Sequence, residues 1–248
     1  MSKNILLVYP EFPDTTYWSF TYALDFLGKK AAIPPLGLIT IAAMLPEDYN
    51  IRFIDMNIQE LSDDDIRWAD GVFTSTMIIQ QKSLKEVILR SNALNKPVIA
   101  GGPYPTTSSD KIKGVSHFIL GEAENTFEQF IMDFEKGIAK PVYSNPDKPE
   151  LLSTPIPRFD LLDMGKYGSM AIQYSRGCPF QCEFCDIWGM YGNKPRLKGP
   201  KKFVAELDRL LELGWKGTLF VVDDNFIGNS VNARRLLPRV KEWQIQEF

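Results

Sequence analysis

The sequence predicts an α/β protein in which a doubly wound parallel sheet precedes the start of a (β/α) barrel. Short β-rich runs alternate with helix-like segments from residue 4 to residue 136. Such alternation is typical of a parallel sheet with helices on both faces. After a proline-rich stretch, a second succession of strand, loop, helix, strand and helix fits the first units of a parallel (β/α) barrel.

The first region has five predicted strands and four predicted helices. The strands are placed at 4–9, 51–55, 71–76, 97–100 and 117–120, and the helices at 35–45, 60–68, 80–94 and 123–136. A proline near the start of the first helix and Gly137 after the last suit helix ends. We therefore predict a flavodoxin-like (Rossmann-type) domain at residues 1–137.

Residues 138–168 are predicted to be a linker, because five prolines within seventeen positions disfavour regular helix. The second domain, residues 169–248, contains strands at 169–174 and 218–222 and helices at 201–213 and 231–243. These are two βα units, fewer than a closed barrel needs. We therefore expect a fragment or a natural truncation whose exposed sheet edge favours self-association.

The three cysteines of the 248-residue chain lie within eight positions. They are Cys178, Cys182 and Cys185, in the pattern Cys-x3-Cys-x2-Cys. Closely spaced thiolates on one loop suit an iron–sulfur cluster, and Gly177 and Pro179 suit the bend of the loop. An odd count argues against a disulfide framework. Zinc is the remaining alternative, but a structural zinc site normally has a fourth ligand, and His117 lies in an apolar strand-like run.

The carboxyl ends of the predicted strands carry small and polar residues. In doubly wound sheets, ligands bind beyond these ends. Asp55 and Asn57 follow the second strand, Ser75 ends the third, and the pairs Gly101-Gly102 and Gly121-Glu122 follow the fourth and fifth. Glycines here can simply form tight turns, but several such ends together favour a ligand site.

The cysteine pattern, with Phe184 before the last cysteine, resembles the signature of the radical S-adenosylmethionine (SAM) superfamily. The resemblance implies that the three cysteines hold three irons of a [4Fe-4S] cluster, whose fourth iron binds SAM. It also implies that Phe184 lies near the adenine and that the segment Asp223, Asp224 and Asn225 contacts the methionyl amino group. Carboxylates suit an ammonium group. Alternatively, either aspartate caps the following helix and Phe184 packs the loop.

The preceding region resembles the cobalamin-binding domain of one radical SAM subgroup, on the stretches Pro34-Pro35-Leu36-Gly37, Gly101-Gly102-Pro103 and Gly121-Glu122. The cobalamin-binding residues that we assign with this resemblance are Pro35, Asp55, Asn57, Ser75, Gly101, Gly102, Gly121 and Glu122. Cobalamin-dependent mutases carry Asp-x-His-x-x-Gly, whereas this chain has Asp55-Met56-Asn57. A histidine-ligated cobalt is therefore not expected. A domain that binds no ligand is the alternative.

Over nearly its whole length the chain is similar to cobalamin-binding radical SAM proteins akin to the hopanoid C-2 methylases. The stretches 174–187 and 222–229 carry this similarity. It implies methyl transfer from SAM to an unactivated carbon through the cluster, a 5′-deoxyadenosyl radical and cobalamin. It also implies a small-molecule substrate, with lipid-like molecules among the candidates, and an electron donor such as flavodoxin or ferredoxin. The alternatives are a radical SAM rearrangement or cyclisation, or a binding protein without turnover.

The bulk composition, with 44% hydrophobic and 24% charged residues, suits a soluble protein. A net charge of −3 gives no basic surface for nucleic acid. We find no run long enough to cross a bilayer and no signal peptide, so we expect a cytoplasmic protein. The basic run of Lys194, Arg196, Lys198, Lys201 and Lys202 is expected to be a solvated face. The sequence assigns no catalytic residue.

Overall fold

The computed structural model describes residues 2–14, 16, 19–228 and 230–247, so Asn229 of the stretch 222–229 lies outside the described residues. Its main element is a six-stranded parallel sheet in the order β2-β1-β3-β4-β5-β6. The strands are β1 (Asn4–Tyr9), β2 (Asn50–Asp55), β3 (Gly71–Ser75), β4 (Val98–Gly101), β5 (His117–Leu120) and β6 (Val142–Ser144). This confirms the predicted doubly wound sheet.

Both faces of the sheet are covered by apolar side chains. In β1, Ile5 and Leu7 join one core cluster, whereas Leu6 and Val8 join another on the opposite face. This division follows from the alternation of side chains along a strand. Because all four residues are fully buried, β1 reads as a continuous apolar run, as expected for a central parallel strand.

Helices connect the strands and pack on both faces. They are α1 (Thr21–Leu27), α2 (Leu36–Ala42), α3 (Asp63–Trp68), α4 (Gln81–Ala93), α5 (Pro103–Ser108) and α6 (Phe127–Glu135). The first core cluster contains an aromatic group around Phe130, whose ring lies 6.0 Å from that of Phe73 and 5.3 Å from that of Tyr143. Apolar packing therefore dominates this half of the molecule.

Part of the predicted linker belongs to the sheet. β6 lies within residues 138–168 and pairs with β5 in the register Phe118↔Val142 to Leu120↔Ser144. Further on, Phe159 and Tyr167 are buried in a core cluster shared with the second region. The backbone of this segment also bonds to the first domain, since Lys30 N–H donates to the Lys166 carbonyl oxygen at 2.8 Å.

The second region begins with β7 (Met170–Ile172), which pairs in parallel with β10 (Leu219–Val221). Between them, β8 (Ser175–Arg176) pairs antiparallel with β9 (Arg196–Leu197). The helices are α7 (Ile187–Tyr191), α8 (Pro200–Glu212) and α9 (Ser230–Glu247). Two parallel strands followed by helices are the predicted start of a (β/α) barrel. None of the described helices is long and apolar enough to cross a membrane.

Candidate functional site

A cavity of about 1040 Å³ lies between the carboxyl edge of the six-stranded sheet and the carboxyl ends of β7 and β10. This volume is at the upper end of the range for small-molecule sites. The predicted site residues that line it are Pro35, Asn57, Ser75, Gly102, Gly121, Glu122, Asp223 and Asp224. Asp55, Gly101, Asn225, Phe184 and the three cysteines are not among its lining residues. The structure thus brings residues from both predicted domains to one cavity.

The β3 and β4 ends form a close-packed part of the cavity rim. Gly102 has a φ of 91°, and a Cβ there would lie 2.6 Å from Ser75 Oγ and 2.8 Å from the Thr76 backbone nitrogen. Glycine is therefore required at this turn. Gly101 lies beneath, where its carbonyl oxygen accepts from Thr76 N–H at 3.2 Å. The buried Thr76 hydroxyl finds no hydrogen-bond partner among the described residues, so the rim holds an unused polar group.

Asp55 forms a buried polar group at the end of β2. Its Oδ1 accepts from the backbone and side-chain nitrogens of Asn57 at 2.9 and 2.6 Å, and its Oδ2 accepts from the Tyr167 hydroxyl at 2.9 Å. Burial raises the pKa of Asp55, although these hydrogen bonds oppose the shift. Asn57 also accepts from Phe12 N–H at 2.9 Å, so its side-chain amide joins Asp55 to the backbone of Phe12 at the edge of the cavity.

Glu122 is engaged in ion pairs that cross from the sheet to the cysteine loop. Its carboxylate accepts from both terminal nitrogens of Arg196 at 2.8 Å and from Arg176 at 2.7 Å. Glu124 accepts from Arg176 at 2.9 Å. Gly121, the preceding residue, has a φ of 79° and donates its N–H to the Thr106 hydroxyl at 2.9 Å. Glu122 is therefore held by two arginines at the cavity wall.

The segment after β10 holds the base of the cysteine loop. Asp223 accepts from the backbone nitrogens of Tyr174 and Ser175 at 2.7 and 2.9 Å, and from the Ser175 hydroxyl at 2.6 Å. Asp224 accepts from Gly177 N–H at 2.7 Å. Burial raises the pKa of both carboxyl groups. Within the structure, these aspartates tie together the ends of the two barrel strands.

The cysteine loop itself lies nearer the surface. Cys178 and Cys185 are half-buried, Cys182 is exposed, and all three are free thiols. Asn225 donates its amide to the Cys178 sulfur at 3.7 Å, and the Phe184 ring is 94% exposed. Across the described residues, no three His, Cys, Asp or Glu side chains are grouped so as to hold a metal ion. The donor set fits an iron–sulfur cluster in its chemistry, since it offers three thiols on one loop.

The Lys198 side chain is buried and the Arg196 side chain is only 11% exposed, so the expectation of a solvated face was wrong for these two members of the basic run. Lys198 lines the cavity and pairs with Glu206 of α8 at 2.5 Å, with both side chains almost completely enclosed. The second carboxylate oxygen of Glu206 has no hydrogen-bond partner within the described chain, and burial raises the pKa of this group.

Sequence reasoning missed four polar residues of the site: Arg176, Arg196, Lys198 and Tyr167. The carboxylate partners of Arg176, Arg196 and Tyr167 lie more than fifty positions away, so local patterns could not identify them. Lys198 pairs with Glu206, which is eight positions further along the chain. Arg176 had the best available signal, because it stands directly before Gly177 and Cys178. Burial raises the pKa of Tyr191, another cavity-lining residue, to about 12.

Comparisons with known proteins identify similar sequences and structures. Residues 30–131 match the family model of the B12 binding domain. The chain is 44% identical over 241 residues to an uncharacterized methyltransferase of Synechocystis sp., covering 96% of this chain and 45% of the relative. It is 39% identical over 248 residues to the hopanoid C-2 methylase of Rhodopseudomonas palustris, covering 98% of this chain and 47% of that protein. The chain thus spans about half the length of these curated relatives.

A solved structure shows the same fold. The radical SAM methyltransferase TsrM of Kitasatospora setae, determined with cobalamin and a [4Fe-4S] cluster bound, superposes with a TM-score of 0.72 at 14% identity. The match covers 99% of this chain and 53% of TsrM. The resemblance predicted from the sequence is therefore confirmed: the chain is similar in sequence to the hopanoid C-2 methylase and in fold to a cobalamin-bound radical SAM methyltransferase, and residues 30–131 match the B12 binding domain family.

Proposed function

We propose that this chain is the cofactor-binding part of a radical SAM enzyme that transfers a methyl group from SAM to an unactivated carbon. The observation that carries the proposal is the shared cavity, which is lined by the rim of the B12-binding family domain and by Asp223 and Asp224 of the barrel strands. When bound, a [4Fe-4S] cluster with SAM would supply radical chemistry and cobalamin would supply the methyl group.

The rim residues suit cobalamin. Gly102 allows a close backbone approach, and the free Thr76 hydroxyl offers a hydrogen bond to a ligand. Asn57 stands where a cobalt-binding histidine would be expected, and its amide is already used by Asp55 and Phe12. We therefore propose that cobalamin binds here without a protein imidazole on its lower face. Pro35, Ser75, Gly121 and Glu122 would line the same site.

The barrel residues suit a cluster and SAM. We propose that Cys178, Cys182 and Cys185 hold the cluster and that Phe184, Asp223, Asp224 and Asn225 shape the adjoining SAM site. Asp223 and Asp224 also fix the backbone on either side of Arg176, so the base of the loop is set independently of the thiols.

The wider setting is also a proposal. The relative from Rhodopseudomonas palustris is named for a hopanoid substrate, which supports a lipid-like small molecule as the substrate here. Reduction of a cluster needs an electron donor, and we propose a flavodoxin- or ferredoxin-type protein in the cytoplasm. The domain limits that we propose remain 1–137 and 169–248, with β6 contributed by the segment between them.

The test is anaerobic reconstitution of the chain with iron, sulfide and aquacobalamin, followed by desalting. We expect corrinoid absorbance to remain with the parent and to be lost in Gly102→Val. We expect iron to be lost when the three cysteines are changed to alanine. Absence of bound corrinoid in the parent would reject the cobalamin site.

A second stage separates enzymes from binding proteins. The loaded chain receives reductant, a hopanoid and SAM labelled with deuterium in its methyl group. Formation of 5′-deoxyadenosine with a labelled lipid is the expected result. Formation of 5′-deoxyadenosine without label transfer would favour a rearrangement or cyclisation, and absence of both would indicate binding without turnover.

A further inference from the structure

Four charged side chains form a compact group between the two halves of the chain, which we call the arginine–glutamate cluster: Glu122, Glu124, Arg176 and Arg196. The glutamates follow β5 of the six-stranded sheet, whereas the arginines belong to β8 and β9. Four contacts of 2.7 to 2.9 Å between terminal nitrogens and carboxylate oxygens join them in three ion pairs. Two positive and two negative charges balance within the group.

The cluster is nearly closed to water. The Glu122 side chain is 2% exposed, and those of Arg176 and Arg196 are 14% and 11% exposed. Charges in such a setting are weakly screened, and removal of one partner leaves another charge buried and unpaired. Arg196 is further fixed by the Pro149 and Tyr191 carbonyl oxygens at 2.6 and 2.9 Å. The cluster is thus a stiff connection, unlike a surface ion pair.

Arg176 links the arginine–glutamate cluster to Cys178, the first cysteine of the loop. It precedes Cys178 by two residues, and the intervening Gly177 has a φ of 96°. A Cβ on Gly177 would lie 3.0 Å from the Gly192 and Tyr191 carbonyl oxygens, so the backbone is tightly enclosed there. The Cys178 N–H also donates to the Gly192 carbonyl oxygen at 3.2 Å. Because the backbone between the two residues is so tightly enclosed, we expect a displacement of Arg176 to displace Cys178 as well.

Glu122 connects the arginine–glutamate cluster to the cavity. It follows Gly121 directly, and Glu122, Glu124 and Arg176 all line the cavity. We infer that Glu122 and Arg176 are positioning residues, which hold the cysteine loop at a fixed place against the rim of the six-stranded sheet. The purpose of this role rests on the proposed function, because a loop that binds a cluster must face the ligand in the rim. The contacts themselves can be tested without any cofactor.

The test measures how fast iodoacetamide alkylates each thiol of the reduced, metal-free chain, by peptide mass spectrometry. In Glu122→Gln, Arg176 keeps only Glu124 and Arg196 loses its carboxylate partner. We expect the rate at the half-buried Cys178 to rise by about tenfold, because the weakened cluster favours local opening. The exposed Cys182 should hardly change. The matched control is Asp63→Asn, which breaks the Arg90–Asp63 pair of 2.7 Å far from the loop and should leave all three rates unchanged.

A neutral double variant guards against misfolding. Glu122→Gln with Arg176→Gln removes one negative and one positive charge, so that Glu124 and Arg196 remain as one charge of each sign. We again expect faster alkylation of Cys178. If Cys178 reacts at the parent rate in this folded double variant, the inference is overturned. Arg176→Lys retains the charge and should lie between the parent and the double variant.

A spectroscopic measurement connects the result to the proposed function. After anaerobic reconstitution with iron and sulfide, the reduced cluster of the Glu122→Gln chain should give an EPR signal shifted or broadened relative to the parent, whereas Asp63→Asn should reproduce the parent signal. If the parent takes up no iron, the proposed cluster fails, while the alkylation rates still decide the role of Glu122 and Arg176. Identical EPR signals together with identical alkylation rates would overturn the inference.

Discussion

The six-stranded sheet and the base of the cysteine loop are stabilised by different forces. The six-stranded sheet is held by apolar strands and by an aromatic group around Phe130. The base of the cysteine loop is held by buried charges: the arginine–glutamate cluster, the Lys198–Glu206 pair and the two aspartates after β10. Apolar packing tolerates changes of pH and salt, whereas buried charges depend on each partner being present. The difference predicts that single polar substitutions will damage the second region far more than conservative apolar ones.

The largest expected effect comes from Lys198→Ala, which leaves Glu206 buried and unpaired. We expect a loss of about 3–5 kcal/mol in the free energy of unfolding, measured by urea denaturation. The double variant Lys198→Met with Glu206→Leu replaces both charges with apolar groups and should recover most of this loss. A single variant as stable as the parent would show that buried charge does not dominate the second region.

Gly102→Ala tests the sheet rim. The new Cβ would press on the Thr76 backbone at a positive φ, so we expect a loss of about 2–4 kcal/mol. Gly28 is the matched control, because its φ is 64° but nothing lies within 4 Å of its Cβ position. Gly28→Ala should cost only about 1 kcal/mol. Equal losses in thermal or urea unfolding would remove the case for a close-packed rim.

Asp55→Asn tests the buried carboxyl group at the end of β2. Its folded pKa is raised by burial from 3.8, so its stabilising contribution is complete below pH 3.8 and is lost as the pH rises through the folded value. The stability of the parent relative to the variant should therefore fall over this range, by about 1.4 kcal/mol for each unit of pKa shift. Urea unfolding at several pH values between 3.5 and 7 measures the slope.

Asp160→Asn is the control for that slope, with the opposite sign. The hydrogen bond from Arg158 lowers the pKa of Asp160, so its contribution is present above the unfolded pKa and is lost as the pH falls through the folded value. The parent should therefore lose stability relative to this variant on acidification. If the stability difference between parent and variant changed with pH in the same direction for both substitutions, the opposite directions of the two pKa shifts would be contradicted.

The smallest effect is expected for Phe184→Ser. Because the ring is almost completely exposed, the change in stability should stay below about 0.5 kcal/mol. Phe130→Ala, in the sheet core, should cost about 3–5 kcal/mol. Differential scanning calorimetry of both variants gives the contrast. A large loss for Phe184→Ser would mean that the cysteine loop is packed more firmly than its exposure indicates.

The fold was largely predictable because its signals are local. Runs such as Ile5 to Val8 identify strands by composition alone, and every predicted strand of the first domain reappears within about one residue of its limits. β6 was missed because three residues, Val142 to Ser144, are too few for a periodic signal among prolines. Its Tyr143 is nevertheless buried, where it donates to Asp133 at 2.7 Å.

The site was predictable in part, for the same reason. Glycine pairs after strands and cysteines on one loop are visible in the sequence, and eight of the proposed residues line one cavity. The ion pair between Glu122 and Arg196 joins residues that are 74 positions apart, so no local sequence pattern indicates it. The exposure of Arg196 was therefore predicted wrongly. The exposure of Lys198 was also predicted wrongly, although its partner Glu206 is only eight positions away, because a basic run looks the same whether its partners are water or buried carboxylates.

The placement of β6 has a consequence for taking the molecule apart. This edge strand follows Gly137, yet it completes the sheet, and Tyr167 from still further along the chain caps Asp55. A fragment ending at residue 137 would lack both β6 and Tyr167. It would therefore expose the hydrogen-bonding edge of β5 and remove the tyrosine hydroxyl that donates to the Asp55 carboxylate. A segment transferred to another protein should therefore extend from the region that matches the B12 binding domain family to about residue 168. The recipient then receives the sheet together with its edge strand β6 and with Tyr167.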